Sequence, residues 1–208
     1  MTIGAVENLQ GISWQRITIE GVANHAGTTP MAMRKDAGHA AAKVISFVCD
    51  RASSSNSVST VGCIEFEPNA INVIPSKATF TVDLRNPNEE ILKKEEAALA
   101  DYLKKLEVSK NINIFTERLV RFEPVIFDEN IVKMVEDAAK QYNLQCRRIT
   151  SGAGQDAQMM ARICPAAMIF VPSVNGISHN SKEFTPGPDL VAGANVLMDV
   201  IVKLSECK

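Results

Sequence analysis

The sequence predicts an α+β protein in two parts, a complete β-α-β-β-α-β sandwich followed by an α/β segment that is not complete by itself. Three observations lead there. Over residues 13–122, runs with a two-residue apolar period alternate with long runs of helical period. The pattern changes at Glu123-Pro124. Beyond it a continuous apolar run at 166–171, AAMIFV, sits between helical stretches, as in a strand buried on both faces.

Each element has its own warrant. SWQRITIE (13–20) alternates polar and apolar residues, and Gly21 ends it. After the loop GVANHAGTTPM, residues 34–51 place Ala37, Ala40, Ala41, Val44, Ile45 and Val48 on one helical face. The Ser-rich tract ASSSNS reads as a polar connector. Strand-like runs follow at 58–66 and 78–85, separated by the shaped loop PNAINVIPS. Asn88 is a helix N-cap for residues 89–106, with a Leu92/Leu99/Leu103/Leu106 stripe, and residues 111–122 alternate again. That order is the ferredoxin-like split βαβ arrangement.

In the second part, residues 128–142 read as a helix capped by Asp128, residues 154–163 as a short helix, and residues 188–205 as a last helix. Its stripe is Leu190, Val191, Ala194, Leu197, Met198, Ile201 and Leu204. Alternating helices and buried strands suggest a parallel or mixed sheet, but one convincing strand is not a sheet. Burying each large stripe residue contributes roughly 1.5–3 kcal/mol. Seven of them left in water would form an apolar patch. A partner chain, a second copy or a further part of the same protein is therefore expected to cover residues 123–208.

Composition narrows the function classes. Against 24 acidic residues stand 22 Lys and Arg, a net charge of −2 with no basic block, which argues against nucleic acid as a partner. No apolar run is long enough for a transmembrane helix, and the N-terminus shows no signal-peptide pattern, so a cytoplasmic protein without a membrane partner is expected. Five cysteines, odd in number and without a CxxC pair, suggest reduced and mostly buried thiols.

The polar residues that can carry chemistry lie in loops: His25 in NHAGTTP, Asn72 in NAINVIP, Arg85 in DLRN, Gln155 and Asp156 in SGAGQDA, and His179 in NGISHNSKE. Singly, each has a plain structural role: a surface histidine, a turn asparagine, half of a surface ion pair, or an N-cap at Asp156. His39, on a helix beside its apolar face, reads as structural. There is no GxSxG, no HExxH, and no dense cluster of metal ligands; His179, with Glu183 four residues later, is the one plausible loop ligand.

The series HAGTTPMAMRKDA (25–37), PNAINVIP (68–75), DLRN (83–86), SGAGQDA (151–157) and MIFVPSVNGISHNSKE (168–183) is more specific than its parts. In that order it resembles the C-terminal half of the N-carbamoyl-L-amino-acid hydrolase, allantoate amidohydrolase and β-ureidopropionase group of the aminoacylase/carboxypeptidase di-metal hydrolases. The resemblance implies that residues 1–12 are an end strand of the catalytic domain. Residues 13–122 would be a ferredoxin-like lid that forms a homodimer, and residues 123–208 the return to the catalytic domain. It implies two divalent ions, zinc or manganese, in the intact enzyme, with none or one weakly bound in this chain alone. Most metal ligands and the general-base glutamate would belong to an absent N-terminal half.

Carried over position by position, the resemblance makes His25 an oxyanion donor acting in a neighbouring subunit's site. It makes Asn72 and Arg85 joint holders of a substrate carboxylate, and His179 a ligand of one ion. Where the group usually has SGAGHDA, this chain has SGAGQDA; Gln155 still donates a hydrogen bond but cannot relay a proton. The implied function is hydrolysis of the carbamoyl or ureido C–N bond of a small acid by the intact enzyme, with this chain inactive alone. Two alternatives stand beside it: a non-catalytic dimerisation or binding module, and a peptidase or deacylase of the same superfamily.

Overall fold

The structure is a computed structural model and describes residues 2–206. Its contacts divide the chain into two compact units: Gly11–Pro124, and the residues up to Gln10 together with those from Val125 onward. The first strand, β1 (Ile3–Leu9), belongs to the second of these units.

The unit from Gly11 to Pro124 opens with β2 (Gly11–Glu20) and the two-residue β3 (Asn24–His25). Between them Gly21 lets the backbone pass under Lys35, whose carbonyl oxygen would lie 2.0 Å from any Cβ there. Then come α1 (Ala37–Ser55), β4 (Val58–Thr60), β5 (Ile64–Glu67), β6 (Val73–Ile74), β7 (Lys77–Asn86), α2 (Glu89–Lys110) and β8 (Asn113–Phe122). The main sheet is antiparallel: β7 and β8 flank β2, while β4 and β5 pair in succession with the outer edge of β7. The strand period sorts its two faces. Ile17, Ile19, Ala78, Phe80, Val82 and Leu84 point inward and bury against Ala40, Ala41, Val44 and Val48 of α1 and the leucine stripe of α2. The opposite face carries Thr79, Thr81, Asp83 and Arg85.

The helix ends follow local chemistry. Asp36 accepts from the His39 N–H, and the Asn88 side chain accepts from the N–H groups of Glu90 and Ile91. Asn56 and Asn111 close the helices in the left-handed conformation. Two expectations fail here, and the first is the Ser-rich tract, which is not a connector because α1 runs through Ser55. The hydroxyls of Ser53, Ser54 and Ser55 donate back to the carbonyls of Cys49 and Arg51 on their own helix, and Ala52 is buried. The run expected as one strand at 58–66 is split into β4 and β5.

The other unit continues after β8 with β9 (Val125–Ile126), α3 (Glu129–Gln141), β10 (Cys146–Ser151), the one-turn α4 (Ala157–Met160), β11 (Met168–Phe170) and α5 (Gly187–Glu206). Its sheet is mixed, with β10 parallel to β1 and β11 antiparallel on the other side. Ile3, Ala5, Val6 and Leu9 are fully buried against Val132, Val135, Ala138 and Ala139 of α3 and Val196 and Val200 of α5. Asp128 caps α3 through the N–H groups of Asn130 and Ile131.

Three expectations are corrected in this unit, and one strand appears where the sequence predicts no element. The AAMIFV strand is an edge strand, and of its ordered core only Met168 is buried. The sequence CRRITS forms a strand that its two arginines conceal. Asp156 stands at the start of α4 but makes no side-chain capping bond. Most of all, α5 buries Ala192, Val196 and Val200, while Leu190, Val191, Ala194, Leu197, Met198, Ile201 and Leu204 are exposed. The helix is apolar nearly all round, so periodicity alone cannot choose the face that packs.

Among the described residues, Cys49, Cys63 and Cys164 are free and exposed and Cys146 is free and half-buried, so these thiols are reduced but not mostly buried. Burial pushes the Cys146 thiol above its ordinary value. Cys207 lies outside the described residues.

Candidate functional site

The HAGTTP and NAINVIP segments meet although 47 positions separate His25 from Asn72. β3 pairs with β6, His25 facing Val73, and the Ala26 N–H donates to the Asn72 carbonyl at 2.9 Å. The His25 ring is exposed but its orientation is fixed. Its Nδ1 accepts from the N–H groups of Gly27 (3.0 Å) and Thr28 (3.2 Å). An atom that accepts two N–H donors carries no proton, so in the neutral ring Nε2 bears the hydrogen. Nε2 is thus a donor turned away from its own loop. Its backbone is held as well: the His25 N–H donates to Asn24 Oδ1, and the His25 carbonyl accepts from both the N–H and the hydroxyl of buried Thr29.

Arg85 lies elsewhere on the same unit. It faces Ile12 on β2, whereas Lys77 faces Glu20 at the end where β3 and β6 lie. At about 3.3 Å per residue, β7 carries Arg85 about 26 Å from Lys77. Asn72 and Arg85 of one chain therefore do not meet on one small ligand. The Arg85 guanidinium is half-buried and grips Asp83, two residues earlier on the same face, at 2.7–3.0 Å.

In the other unit, Gln155 and Asp156 are exposed in the loop before α4. His179 is exposed with a positive φ of 56°, and its N–H donates to Glu183 Oε2 at 2.7 Å. Ser178 Oγ lies 3.4 Å from the other Glu183 oxygen. Glu183 thus folds its carboxylate onto the backbone of its own loop. A groove of about 690 Å³ runs between α3, α5 and β11, lined by Val135, Met168, Phe170, Leu197 and Ile201, with Gln155 and Glu183 among its polar residues.

No group of three His, Cys, Asp or Glu side chains stands together among the described residues. A protein-held divalent site needs three or four ligands, so His179 alone does not compose the pair of ion sites that the resemblance implies. None of the described helices is long and apolar enough to cross a membrane.

Sequence reasoning missed three residues here. Strand period alone places Asp83 beside Arg85. Arg34 and Thr29 lie inside the HAGTTPMAMR motif, yet their bonds to the His25 loop depend on a fold-back that no periodicity reports.

These features define a two-unit α/β protein with an oriented imidazole donor, a guanidinium held by a neighbouring carboxylate and, among the described residues, no cluster of metal donors. The chain belongs to the peptidase family M20/M25/M40, whose model matches residues 6–203. It is 35% identical over 207 residues to the N-carbamoyl-L-amino acid amidohydrolase of Geobacillus stearothermophilus, covering 99% of this chain and 51% of that protein. It is also 35% identical to the allantoate amidohydrolase of Bacillus subtilis, over 98% of this chain and 50% of the relative. Among solved structures, an amidase of the hydantoinase/carbamoylase family from Burkholderia multivorans matches with a TM-score of 0.91 and 38% identity, over 97% of this chain and 50% of that one. The chain spans about half the length of the relatives it matches. These comparisons agree with the family read from the motif series.

Proposed function

We propose that this chain is the C-terminal portion of a metal-dependent amidohydrolase that cleaves the carbamoyl or ureido C–N bond of a small acid. It would act as a cytoplasmic homodimer whose Gly11–Pro124 unit is a ferredoxin-like lid. The observation that carries the reading is His25: its loop holds Nδ1 as an acceptor and leaves Nε2–H as a donor, the form an oxyanion requires. The relatives' names supply the chemical class, an N-carbamoyl amino acid or allantoate.

In this reading each residue does what its chemistry allows. His25 Nε2–H donates to the oxygen that gains negative charge as the carbonyl carbon becomes tetrahedral. Arg85 offers a planar fork to the substrate carboxylate, with Asp83 holding the guanidinium in place. Asn72 adds amide donors. Gln155 donates a hydrogen bond through its amide and moves no proton. The divalent ions would activate the attacking water when bound. His179 is the one imidazole this chain would contribute to them, and the remaining ligands would come from a polypeptide corresponding to the half of the relatives that this chain does not span. The separation along β7 gives the homodimer a chemical reason: Asn72 and His25 can join Arg85 on one ligand only if they come from different copies.

Mixing tests that arrangement. In the enzyme reconstituted with the completing half, His25→Ala and Arg85→Ala each lower release of ammonia from N-carbamoyl amino acids at sub-saturating substrate by more than about tenfold. A randomly re-associated equal mixture of the two variants regains about a quarter of wild-type turnover, because about half of its dimers are mixed and each mixed two-fold dimer has one intact site of two. No recovery in verified mixed dimers would overturn the shared site. A non-catalytic dimerisation module is the second reading, favoured by the single-imidazole donor set; turnover by the purified chain would defeat it.

A further inference from the structure

Arg34 plays no part in the function just described, yet its side chain is directed into the His25 loop. Its Nη2 donates to the Ala26 carbonyl at 2.6 Å and its Nε to the Thr29 carbonyl at 3.0 Å. The first of these bonds matters most. The Ala26 carbonyl and the Gly27 N–H belong to one planar peptide group, and that N–H donates to His25 Nδ1. A continuous chain therefore runs from guanidinium to peptide oxygen, through the peptide plane, to the imidazole. A cation on the oxygen polarises the amide and strengthens the donor at its nitrogen, and it fixes the tilt of the plane that aims that donor. The second bond anchors Thr29, whose N–H and hydroxyl both hold the His25 carbonyl.

We propose that Arg34 is a positioning residue that sets the tautomer of His25, keeping Nδ1 unprotonated and Nε2 protonated through the Ala26–Gly27 peptide. The fork geometry explains the residue type. Arginine reaches two carbonyls from fixed nitrogens, whereas lysine presents one rotating ammonium. The consequence for catalysis rests on the reading of His25 as an oxyanion donor; the tautomer itself does not.

The test is nitrogen-15 NMR of the imidazole rings, in the wild-type chain and in Arg34→Met and Arg34→Lys, above the pH at which the rings are protonated. The chain has three histidines, so His39 and His179 serve as internal references. The proposal predicts a single tautomer for wild-type His25, with Nδ1 bare. In Arg34→Met, the His25 nitrogens shift toward the average of both tautomers while those of His39 and His179 stay in place. Arg34→Lys falls between, and it carries the test alone if Arg34→Met does not fold. A wild-type His25 that already averages its tautomers would overturn the proposal, as would an unchanged His25 signal in a folded Arg34→Met or Arg34→Lys. No turnover is measured, so failure of the amidohydrolase reading leaves this result intact; an unchanged His25 signal in the Arg34 variants would overturn this proposal alone, whereas averaged tautomers in the wild type would also remove the donor on which that reading rests.

Discussion

The exposed side of α5 allows a quantitative prediction. Leu197, Met198 and Ile201 lie near the middle of the helix and are 50%, 62% and 53% exposed. Full burial of such a side chain contributes roughly 1.5–3 kcal/mol, so covering the exposed half contributes about 1 kcal/mol each. If the completing half packs here, the triple variant Leu197→Ser/Met198→Ser/Ile201→Ser loses about 3 kcal/mol of association energy, a rise in Kd of about a hundredfold at 1.4 kcal/mol per tenfold. The stability of the chain alone should move far less, because surface substitutions typically change it by within about 0.5 kcal/mol each. Calorimetric titration of the separately produced completing half measures the first quantity, and urea denaturation of the chain the second. An unchanged Kd with unchanged stability would refute the assignment of this face. A collapse of the chain's own stability would show that the exposed side chains serve its core.

Removing the Arg85 fork by Arg85→Ala should weaken binding of a carbamoyl amino acid to the reconstituted enzyme by about 1.5–3 kcal/mol, the range for hydrogen bonds to charged groups; unchanged affinity by calorimetry would remove Arg85 from the site. In the other unit, hydrogen bonds from Arg148 hold the carboxyls of Glu136 and Glu129 below their ordinary range. A carboxyl depressed by folding stabilises the native state above its unfolded pKa and loses that contribution as pH falls through the depressed folded value. Arg148→Met should therefore lower the urea midpoint at neutral pH and flatten its decline on acidification; a parallel curve would contradict this.

Some of this architecture could be read from residue chemistry alone. Asn88 and Asp128 announce their helices because a short acceptor before an apolar-periodic run has few other uses. The leucine stripe of α2 is legible because its other faces are charged. The same logic fails on α5, where apolar residues surround the axis, and on β10, where Arg147 and Arg148 break the apolar pattern. At the candidate site, motif order exposes His25, Asn72, Arg85 and His179 as residues to watch. It does not show that β3 pairs with β6, that β7 holds Arg85 far from both, or that Glu183 turns onto its own loop. Those facts depend on contacts distant in sequence or on single torsions, and neither leaves a periodic trace.

The measurement closest to the central claim combines metal content and turnover on one preparation. The chain is purified alone and again with the completing half, dialysed, analysed for bound divalent ions, and assayed for ammonia release from N-carbamoyl amino acids and allantoate. The chain alone should retain no pair of ions and show no turnover, whereas two ions per chain and turnover should appear once the completing half is present. Two tightly held ions and hydrolysis by the chain alone would contradict the claim.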